Sequence, residues 1–595
     1  MIKAGVRLMI PNLVRVSVLS PEISPGEPAA SLRGIRTALR GVLPLSPDII
    51  ILPPSALCGL SAGDMAKNGA IHAAAEDALR LLAEDTADSG ALVVLSSSAP
   101  RTGEPERIVL YKGDILRASA ADSGRFQCGR VAFRVWQGDP LAAPLFAGEP
   151  DCDLFICLSD VPAPCGAPER FFRAAEAWSE STGCAVALCG SARGESLAPH
   201  CYRPFAAVYE NGLLLSRAGE DRTHITADID LDIIRTVKRV PTFLSEEAEE
   251  RPLSEKKGIL RDVQKDPFLP ADPAQREGAL REYFSLQAAA LEGRMRAIGC
   301  KHLVIGVSGG LDSTLALLVC ARAMDRLGLP RSNILGVTMP GFGTTDRTYY
   351  NALKLIVGLG AQLREISISK SVLQHFEDIG HDPAVHDVTY ENAQARERTQ
   401  ILLDLANTEN ALVAGTGDLS EAALGFCTYG GDQIASFNVN AGIPKTLARR
   451  IIEFLAAGDD FTKESEILAD ILNTPVSPEL LPAAGAAPAQ KTEEILGPYE
   501  LHDFFLYYFV RYGLAPSKIY YYALNAFSGC YSPDMIKETL RVFLRRFTAS
   551  QFKRSCAPDS SALGPVDLTP RGFRMPSDMR AEALIRDLDT IKIKG

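Results

Sequence analysis

The stretch Leu303-Val304-Ile305-Gly306-Val307-Ser308-Gly309-Gly310-Leu311-Asp312-Ser313-Thr314 joins a short apolar run to a glycine pair and then to the helix-patterned segment Leu315 to Leu327. An apolar run of this length bounded by glycines reads as a buried strand, and the glycine pair with the helical segment after it reads as a βα turn. Adjacent glycines let backbone N–H groups approach an oxyanion, Ser308, Ser313 and Thr314 offer hydroxyls, and the next helix turns its positive end to the same place. The pattern predicts a pyrophosphate cradle. It lacks the Gly-Lys-Ser/Thr ending of loops that serve γ-phosphate transfer, so release of the β and γ phosphates together is the expected chemistry. An ordinary glycine-rich turn is the bland alternative; the strand before and the helix after supply the context that the phosphate reading needs.

Working outward, strand patterns recur at Ile334 to Thr338 and Ala411 to Ala414, separated by helical stretches. They imply a parallel, doubly wound α/β sheet with its sites at the carboxyl ends of the strands. A helix beginning near Gln275 leads into this half, and Leu481 to Gln490, rich in Ala, Pro and Gly, reads as a flexible loop within it. From Ser245 to Gly278 charges and prolines dominate, which marks a linker. Before it, Arg15 to Phe243 alternates strand-like runs (Val16 to Ser20, Asp48 to Leu52, Ala91 to Ser96) with helical ones, and hairpin turns are expected at Lys112-Gly113-Asp114 and Glu210-Asn211-Gly212. The expected domains are 1–244, mixed α/β; 245–278, linker; and 279–595, the doubly wound domain.

At 595 residues the chain has length for two or three cores, and 46% hydrophobic with 23% charged residues is a globular composition. A net charge of −11 argues against a large nucleic-acid surface. No apolar stretch is long enough for a membrane helix. Met1 to Ser17 mixes Lys3, Arg7 and Arg15 with short apolar pieces and carries no cleavage pattern, so a cytoplasmic location is expected. The 13 cysteines form no CxxC pair and no Cys/His cluster at zinc spacing, so reduced thiols are expected.

Three further features accompany the cradle. Tyr390-Glu391-Asn392-Ala393-Gln394-Ala395-Arg396-Glu397-Arg398 opens a helix that runs to Leu405, with Asn392, Arg396 and Thr399 on one face. Directly after the strand Ala411 to Ala414 comes Gly415-Thr416-Gly417-Asp418-Leu419-Ser420-Glu421, where Asp418 and Glu421 offer hard oxygen ligands for Mg²⁺. A helix cap by Asp418 or Ser420 is the plain alternative, and one residue can serve both ends. Lys445 in Ile443-Pro444-Lys445-Thr446 and Lys553 in Gln551-Phe552-Lys553-Arg554-Ser555 complete the set; single lysines are ordinarily surface, and only their context raises these two.

These residues resemble the two-domain, glutamine-dependent NAD synthetases. The resemblance covers essentially the whole second half and includes Thr338-Met339-Pro340-Gly341-Phe342-Gly343-Thr344-Thr345-Asp346-Arg347, His381-Asp382-Pro383 and Gly497-Pro498-Tyr499-Glu500-Leu501-His502-Asp503. It sets the chain apart from other users of the SGG-D loop, such as GMP synthetases, asparagine synthetases and tRNA-thiolating enzymes. It implies an ATP-pyrophosphatase fold and a two-step reaction: the nicotinate carboxylate of deamido-NAD attacks the α-phosphorus of ATP, pyrophosphate leaves, and ammonia then displaces AMP from the acyl adenylate. By the same resemblance Asp312, Glu421 and Lys445 are catalytic. Gly306, Val307, Ser308, Gly309, Gly310, Leu311, Asp312, Ser313 and Thr416 contact ATP. Asn392, Arg396, Glu421, Phe426, Cys427, Thr428, Tyr429 and Lys553 contact deamido-NAD, and Asp418 and Glu421 hold Mg²⁺. Gln433 departs from the family pattern, in which His is expected. A homo-oligomer is the family's habit.

The first domain resembles the nitrilase-type glutaminase that feeds ammonia to such a synthetase, an α-β-β-α sandwich. That chemistry needs a Cys nucleophile, a Glu base and a Lys for the oxyanion. Aligned on the family's strands, the base position falls on Pro54, the lysine position on or near Ala121, and the nucleophile position on Gln137. The expectation is therefore a synthetase fed by free ammonia or by a separate amidase, with the first domain a degenerate glutaminase. Two alternatives stand beside it: a glutamine-using enzyme with a relocated triad built on Cys58 or Cys128, and a silent nucleotide-binding regulator. The intact loop, Asp418, Glu421 and Lys553 speak against the last.

Overall fold

Val14, Val16 and Val18 alternate with Arg15 and Ser17 along β1 (Leu13–Leu19), and all five are buried. A strand buried on both faces needs a layer on each side. The computed structural model, which describes residues 12–98, 105–118, 124–128, 131–142, 152–195, 200–219, 222–238, 259–474 and 496–591, supplies both layers. In chain order the first unit contains β1, α1 (Pro28–Val42), β2 (Ile49–Pro54), α2 (Gly69–Thr86), β3 (Leu92–Ser98), β4 (Pro105–Tyr111), β5 (Asp114–Ala118), β6 (Arg125–Cys128), β7 (Val131–Gln137), β8 (Leu154–Leu158), α3 (Ala167–Thr182), β9 (Ala185–Cys189), β10 (Ala206–Glu210), β11 (Leu213–Ala218), β12 (His224–Asp230) and α4 (Leu231–Val237).

Two six-stranded sheets form, ordered β12-β1-β2-β3-β4-β5 and β11-β10-β9-β8-β7-β6. Their facing side chains, among them Val16, Ile51, Val94, Phe133, Ile156 and Ala187, make one core. The opposite face of the first sheet (Ile50, Leu52, Val93) packs on α1 and α2, and that of the second (Phe155, Cys157, Val186) on α3. This is the α-β-β-α sandwich. Both expected hairpins form, with Lys112 and Gly113 at φ 50 and 87 and Asn211 and Gly212 at φ 48 and 75, the left-handed pairs that two-residue turns require. The expected strands lie within three residues of those observed. Arg15 and Asp228, 2% and 0% exposed, form a buried ion pair at 2.7 Å.

The chain divides between Asp262 and Val263, inside the stretch expected as a linker. That stretch is not loose throughout: Leu260 N–H donates to Asp228 and Arg261 pairs with the buried Glu210, both within the first unit. Residues 239–258 lie outside the described residues, as does the expected loop Leu481 to Gln490.

The second unit opens with α5 (Pro273–Ile298), β13 (Leu303–Gly306), α6 (Leu311–Leu327), β14 (Ile334–Thr338), α7 (Asp346–Gly358), β15 (Gln362–Glu365), α8 (Ser369–Ile379), α9 (Val388–Thr408), β16 (Leu412–Gly415) and α10 (Leu419–Leu424). It continues with β17 (Phe437–Asn438), α11 (Lys445–Ala457), α12 (Ser465–Leu472), α13 (Tyr499–Leu506), α14 (Pro516–Ala526), α15 (Pro533–Ala549), α16 (Gln551–Arg554) and α17 (Glu582–Asp589). Its sheet runs β15-β14-β13-β16-β17 with every pairing parallel. Winding reverses between β13 and β16, and the crevice at such a switch point is where doubly wound sheets bind ligands. Among the described residues no helix is long and apolar enough to cross a membrane.

On α13, His502 is 1% exposed, meets the rings of Phe505 and Phe543, and donates from Nε2 to the Leu496 carbonyl at 2.8 Å. Burial pushes the imidazole down to about 4. A group that is neutral in the fold but protonated near 6.5 when unfolded makes the unfolded state the better proton binder. Stability is therefore full above pH 6.5 and falls as pH drops toward 4, by about 3 kcal/mol from this group. Urea unfolding of the second unit across that range is expected to show the slope, and His502→Gln to flatten it.

Candidate active site

Leaving β13, the chain turns so tightly that Gly309 takes φ +87, and a Cβ there would lie 2.1 Å from the Thr348 carbonyl oxygen. Only glycine fits. Gly310 then starts α6, while Ser308 Oγ accepts the Gly310 N–H at 3.2 Å and Ser313 Oγ accepts the Ser308 N–H at 3.3 Å. The two serine hydroxyls, 3.2 Å apart, shape the loop. Thr314 corrects one expectation: it is fully buried on the core side of α6 and does not face the cavity, so it offers no hydroxyl to a ligand.

At the end of β16, Asp418 accepts the Glu421 N–H at 2.7 Å and Glu421 accepts the Asp418 N–H at 3.2 Å, a reciprocal cap on α10. The plain reading of Asp418 as a helix cap is thus correct, and it orients both carboxylates. Lys445, the first residue of α11, extends its ammonium to 2.7 Å from Asp312, 2.9 Å from Asp418 and 2.9 Å from Glu421. The three expected catalytic residues therefore meet around one point, with Asp418 as the fourth.

Burial raises Asp418 well above the usual carboxylate range and pushes Glu421 up to about 7, in each case against the pull of Lys445. Burial works to lower Lys445, and the surrounding carboxylates outweigh it. Three acids face one cation, and an oxygen from each of Asp312, Asp418 and Glu421 lies within 4.8 Å of the others. Asp312 Oδ1 is buried with no hydrogen-bond partner. Hard oxygen donors with an unused acceptor fit a divalent cation. Asp312, expected as catalytic and as an ATP contact, adds a third oxygen donor to the two expected for a metal.

These groups sit in the wall of a cavity of about 800 Å³. Gly306, Val307, Ser308, Gly310, Leu311, Ser313 and Thr416 line it, as do Asn392, Phe426, Cys427, Thr428, Tyr429 and Lys553. Two expected contacts do not. Gly309 is turned against Thr348, and Arg396 is exposed, its guanidinium donating to the Tyr429 carbonyl at 3.2 Å. Arg398, two residues on, lines the cavity and donates to the Met339 carbonyl at 3.0 Å. It stood in the quoted helix string, but the i, i+4 reading favoured Arg396. Asp432 and Tyr499 are further wall residues that the sequence reading missed.

Side chains hold the far wall in place. Thr428 donates its hydroxyl to Asn392 at 2.9 Å and its N–H to Asp432 at 2.6 Å, while Lys553 donates to the carbonyls of Gly425 and Cys427 at 2.8 and 2.6 Å. Gln433, where His was expected, donates to the Lys553 carbonyl, tying the wall to α16. Burial pushes the Cys427 thiol up to about 12, which disfavours its thiolate.

In the first unit Pro54 ends β2, and Gln137 ends β7 with its amide donating to Asp160 at 3.0 Å. Neither is a base or a nucleophile. Ala121 lies outside the described residues, as does the side chain of Cys128. Cys58 is buried, its thiol raised by desolvation, and shares a hollow of about 10 Å³ with His72 and Glu76.

A family model described as NAD synthase matches residues 284–526. A glutamine-dependent NAD(+) synthetase of Mycobacterium bovis is 33% identical over 675 aligned positions, covering 98% of this chain and 99% of that protein. One of Mycobacterium leprae is 39% identical over 450 positions, covering 68% of this chain and 66% of its own length. Among solved structures, a glutamine-dependent NAD(+) synthetase from Cytophaga hutchinsonii overlays 97% of this chain and 100% of its own at 15% identity, with a TM-score of 0.44.

Removing one partner from a buried ion cluster leaves uncompensated charge and costs about 3–5 kcal/mol. Lys445→Met is expected to lose stability on that scale in urea unfolding with EDTA present, and to regain part of it when Mg²⁺ is added. Equal stability of the variant and the parent chain in EDTA would show that the cluster does not support the fold.

Proposed function

The chain belongs to the glutamine-dependent NAD(+) synthetases, and from that premise we propose that the cavity at the carboxyl ends of β13 and β16 is where ATP activates deamido-NAD for amidation to NAD. The enzyme is an NAD synthetase, a ligase. One observation carries the placement: the phosphate-type loop 308–313 and the cluster Asp312, Asp418, Glu421 and Lys445 share one cavity wall at the switch point. Its volume of about 800 Å³ lies within the range of sites that enclose large ligands.

In this reading the loop amides and the N-terminus of α6 receive the β and γ phosphates. The wall formed by Asn392, Thr428, Tyr429 and Lys553 receives deamido-NAD. Its nicotinate carboxylate oxygen bonds to the α-phosphorus of ATP as the bond to the bridging oxygen breaks and pyrophosphate leaves. Lys445 is placed to offset charge gathering on the phosphate oxygens. Asp312, Asp418 and Glu421 are the residues that would hold Mg²⁺, which when bound supplies further neutralisation of that charge. Ammonia nitrogen then bonds to the acyl carbon, the bond from that carbon to the AMP phosphate oxygen breaks, and AMP departs while the nitrogen releases one proton to solvent.

Two readings of the nitrogen source have support. The relatives' printed names favour glutamine; here that requires an amidase set other than the three aligned positions, and Cys58, which lines one hollow with His72 and Glu76, is one described thiol with polar neighbours. Pro54 and Gln137 favour ammonia, free or delivered by a separate amidase, because neither side chain can perform its step. NAD formation with AMP and pyrophosphate release, measured side by side with glutamine and with ammonium, separates the two. On the residues at the strand ends, ammonium is expected to be preferred. Equal use of low glutamine, lost in Cys58→Ala or Cys128→Ala, would establish the glutamine reading instead. No AMP from ATP, deamido-NAD and concentrated ammonium would overturn the placement of the reaction itself.

A further inference from the structure

The string Gly497-Pro498-Tyr499-Glu500-Leu501-His502-Asp503 has no part in the reaction as described, yet it reaches the centre of the charge cluster. Helix α11 begins at Lys445 with Pro444 as its cap, and proline has no side-chain acceptor. The first-turn N–H groups of a helix need acceptors from elsewhere. Lys445 N–H finds Ser420 Oγ at 2.8 Å, and Thr446 N–H finds Asp503 Oδ2 at 2.9 Å. The Thr446 hydroxyl donates to the same carboxylate oxygen at 2.7 Å, and the Ser420 hydroxyl donates to the other. Both oxygens of Asp503, itself 2% exposed, are spent on these donors. A carboxylate at the start of a helix also meets the favourable end of its dipole.

Ser420 lies between Asp418 and Glu421 on α10, and Thr446 is the residue after Lys445 on α11. One side chain of α13 thus ties the turn bearing two carboxylates to the turn bearing the ammonium. One helical turn before Asp503, the Tyr499 ring lies with its centroid 5.4 Å from Lys445 Nζ, so the same helix also steadies the far end of the lysine.

We propose that Asp503 is a positioning residue for amide formation: it holds the starts of α10 and α11 together so that the Lys445 ammonium meets Asp312, Asp418 and Glu421. The inference rests on the reading of this site as the NAD-forming one. Asp503 touches no reacting atom and does not line the cavity. Its three hydrogen bonds all come from donors, so an asparagine of the same shape sets an amide N–H against at least one of them, and Ser420 Oγ already accepts from Lys445.

The test uses the full chain with ATP, Mg²⁺, deamido-NAD and ammonium, and compares Asp503→Asn, Thr446→Val and Thr446→Ser. Asp503→Asn is expected to lower kcat about 100-fold, the scale of a small misplacement of catalytic groups. KM for ATP and deamido-NAD should stay within about three-fold, since no ligand contact is removed. Thr446→Val is expected to lose about ten-fold in kcat and Thr446→Ser, which keeps the hydroxyl, to stay within about three-fold of the parent. An unchanged kcat in Asp503→Asn, or equal losses in the two Thr446 variants, overturns the proposal. If Asp503→Asn does not fold, the Thr446 pair decides alone. A parent chain that forms no NAD removes the reaction and this role with it, whereas a working parent with a working Asp503→Asn removes only this role.

Discussion

Everything in the second unit converges on the Lys445 ammonium, held at 2.7–2.9 Å from three carboxylates that would repel one another without it. The four groups come from three helix starts: Asp312 from the first turn of α6, Asp418 and Glu421 from the cap and first turn of α10, and Lys445 from the opening of α11. Helix N-termini favour anions, so three acids in such places are locally stable. A lysine there is not. Its position is sustained by the acids themselves, which makes the cluster a mutual constraint.

Topology explains why those helix starts meet. In a parallel doubly wound sheet every strand delivers its following helix at the same edge, and the reversal between β13 and β16 opens a gap between the two loops flanking it. The loop after β13 turns at Gly309, where nothing larger fits beneath Thr348, and the loop after β16 ends in the cap made by Asp418 and Glu421. Asn440, fully buried, bridges them by donating to the carbonyls of Asp312 and Thr416 at 2.9 and 3.0 Å, and is itself held by Gln287 of α5. The register between the two halves of the site is thereby set by buried hydrogen bonds that leave little slack.

Much of this was legible in the sequence because the informative residues are local. A run such as Leu303 to Thr314 carries strand, turn and helix signals within a dozen residues, and the hairpins at Lys112-Gly113 and Asn211-Gly212 need positive φ whatever surrounds them. Legibility fails where tertiary packing decides. Arg396 and Arg398 stand on the same helix, and helical spacing selected the former; the cavity lies on the side that Arg398 reaches, which depends on how α9 packs on the sheet. Thr314 looked like one more hydroxyl donor, but a residue four positions past Gly310 has already turned into the core. β17 has only two residues, too short to leave a periodic signal, and pairs with β16 through Ala414 and Gly415. The structural use of Asp503 was likewise hidden, since its partners Ser420 and Thr446 are distant in sequence.

The two units differ in how tightly chemistry and fold are bound together. In the first, the core is made of strand interiors such as Val16, Ile51 and Ile156, whereas Pro54 and Gln137 stand at the last positions of their strands. A proline at a strand end removes no essential ladder bond, and a glutamine there donates its amide N–H to Asp160, so both side chains stand within an intact sandwich. The fold of this unit therefore places no demand that those positions carry a base or a nucleophile. In the second unit the same separation is unavailable. Asp418 is at once cap and candidate ligand, Lys445 is both a helix start and the counter-charge for three acids, and Gly309 serves the turn before it serves any phosphate. Removing the chemistry there disturbs caps and buried charges, so the physical forces that hold this unit together also hold its reactive groups in place.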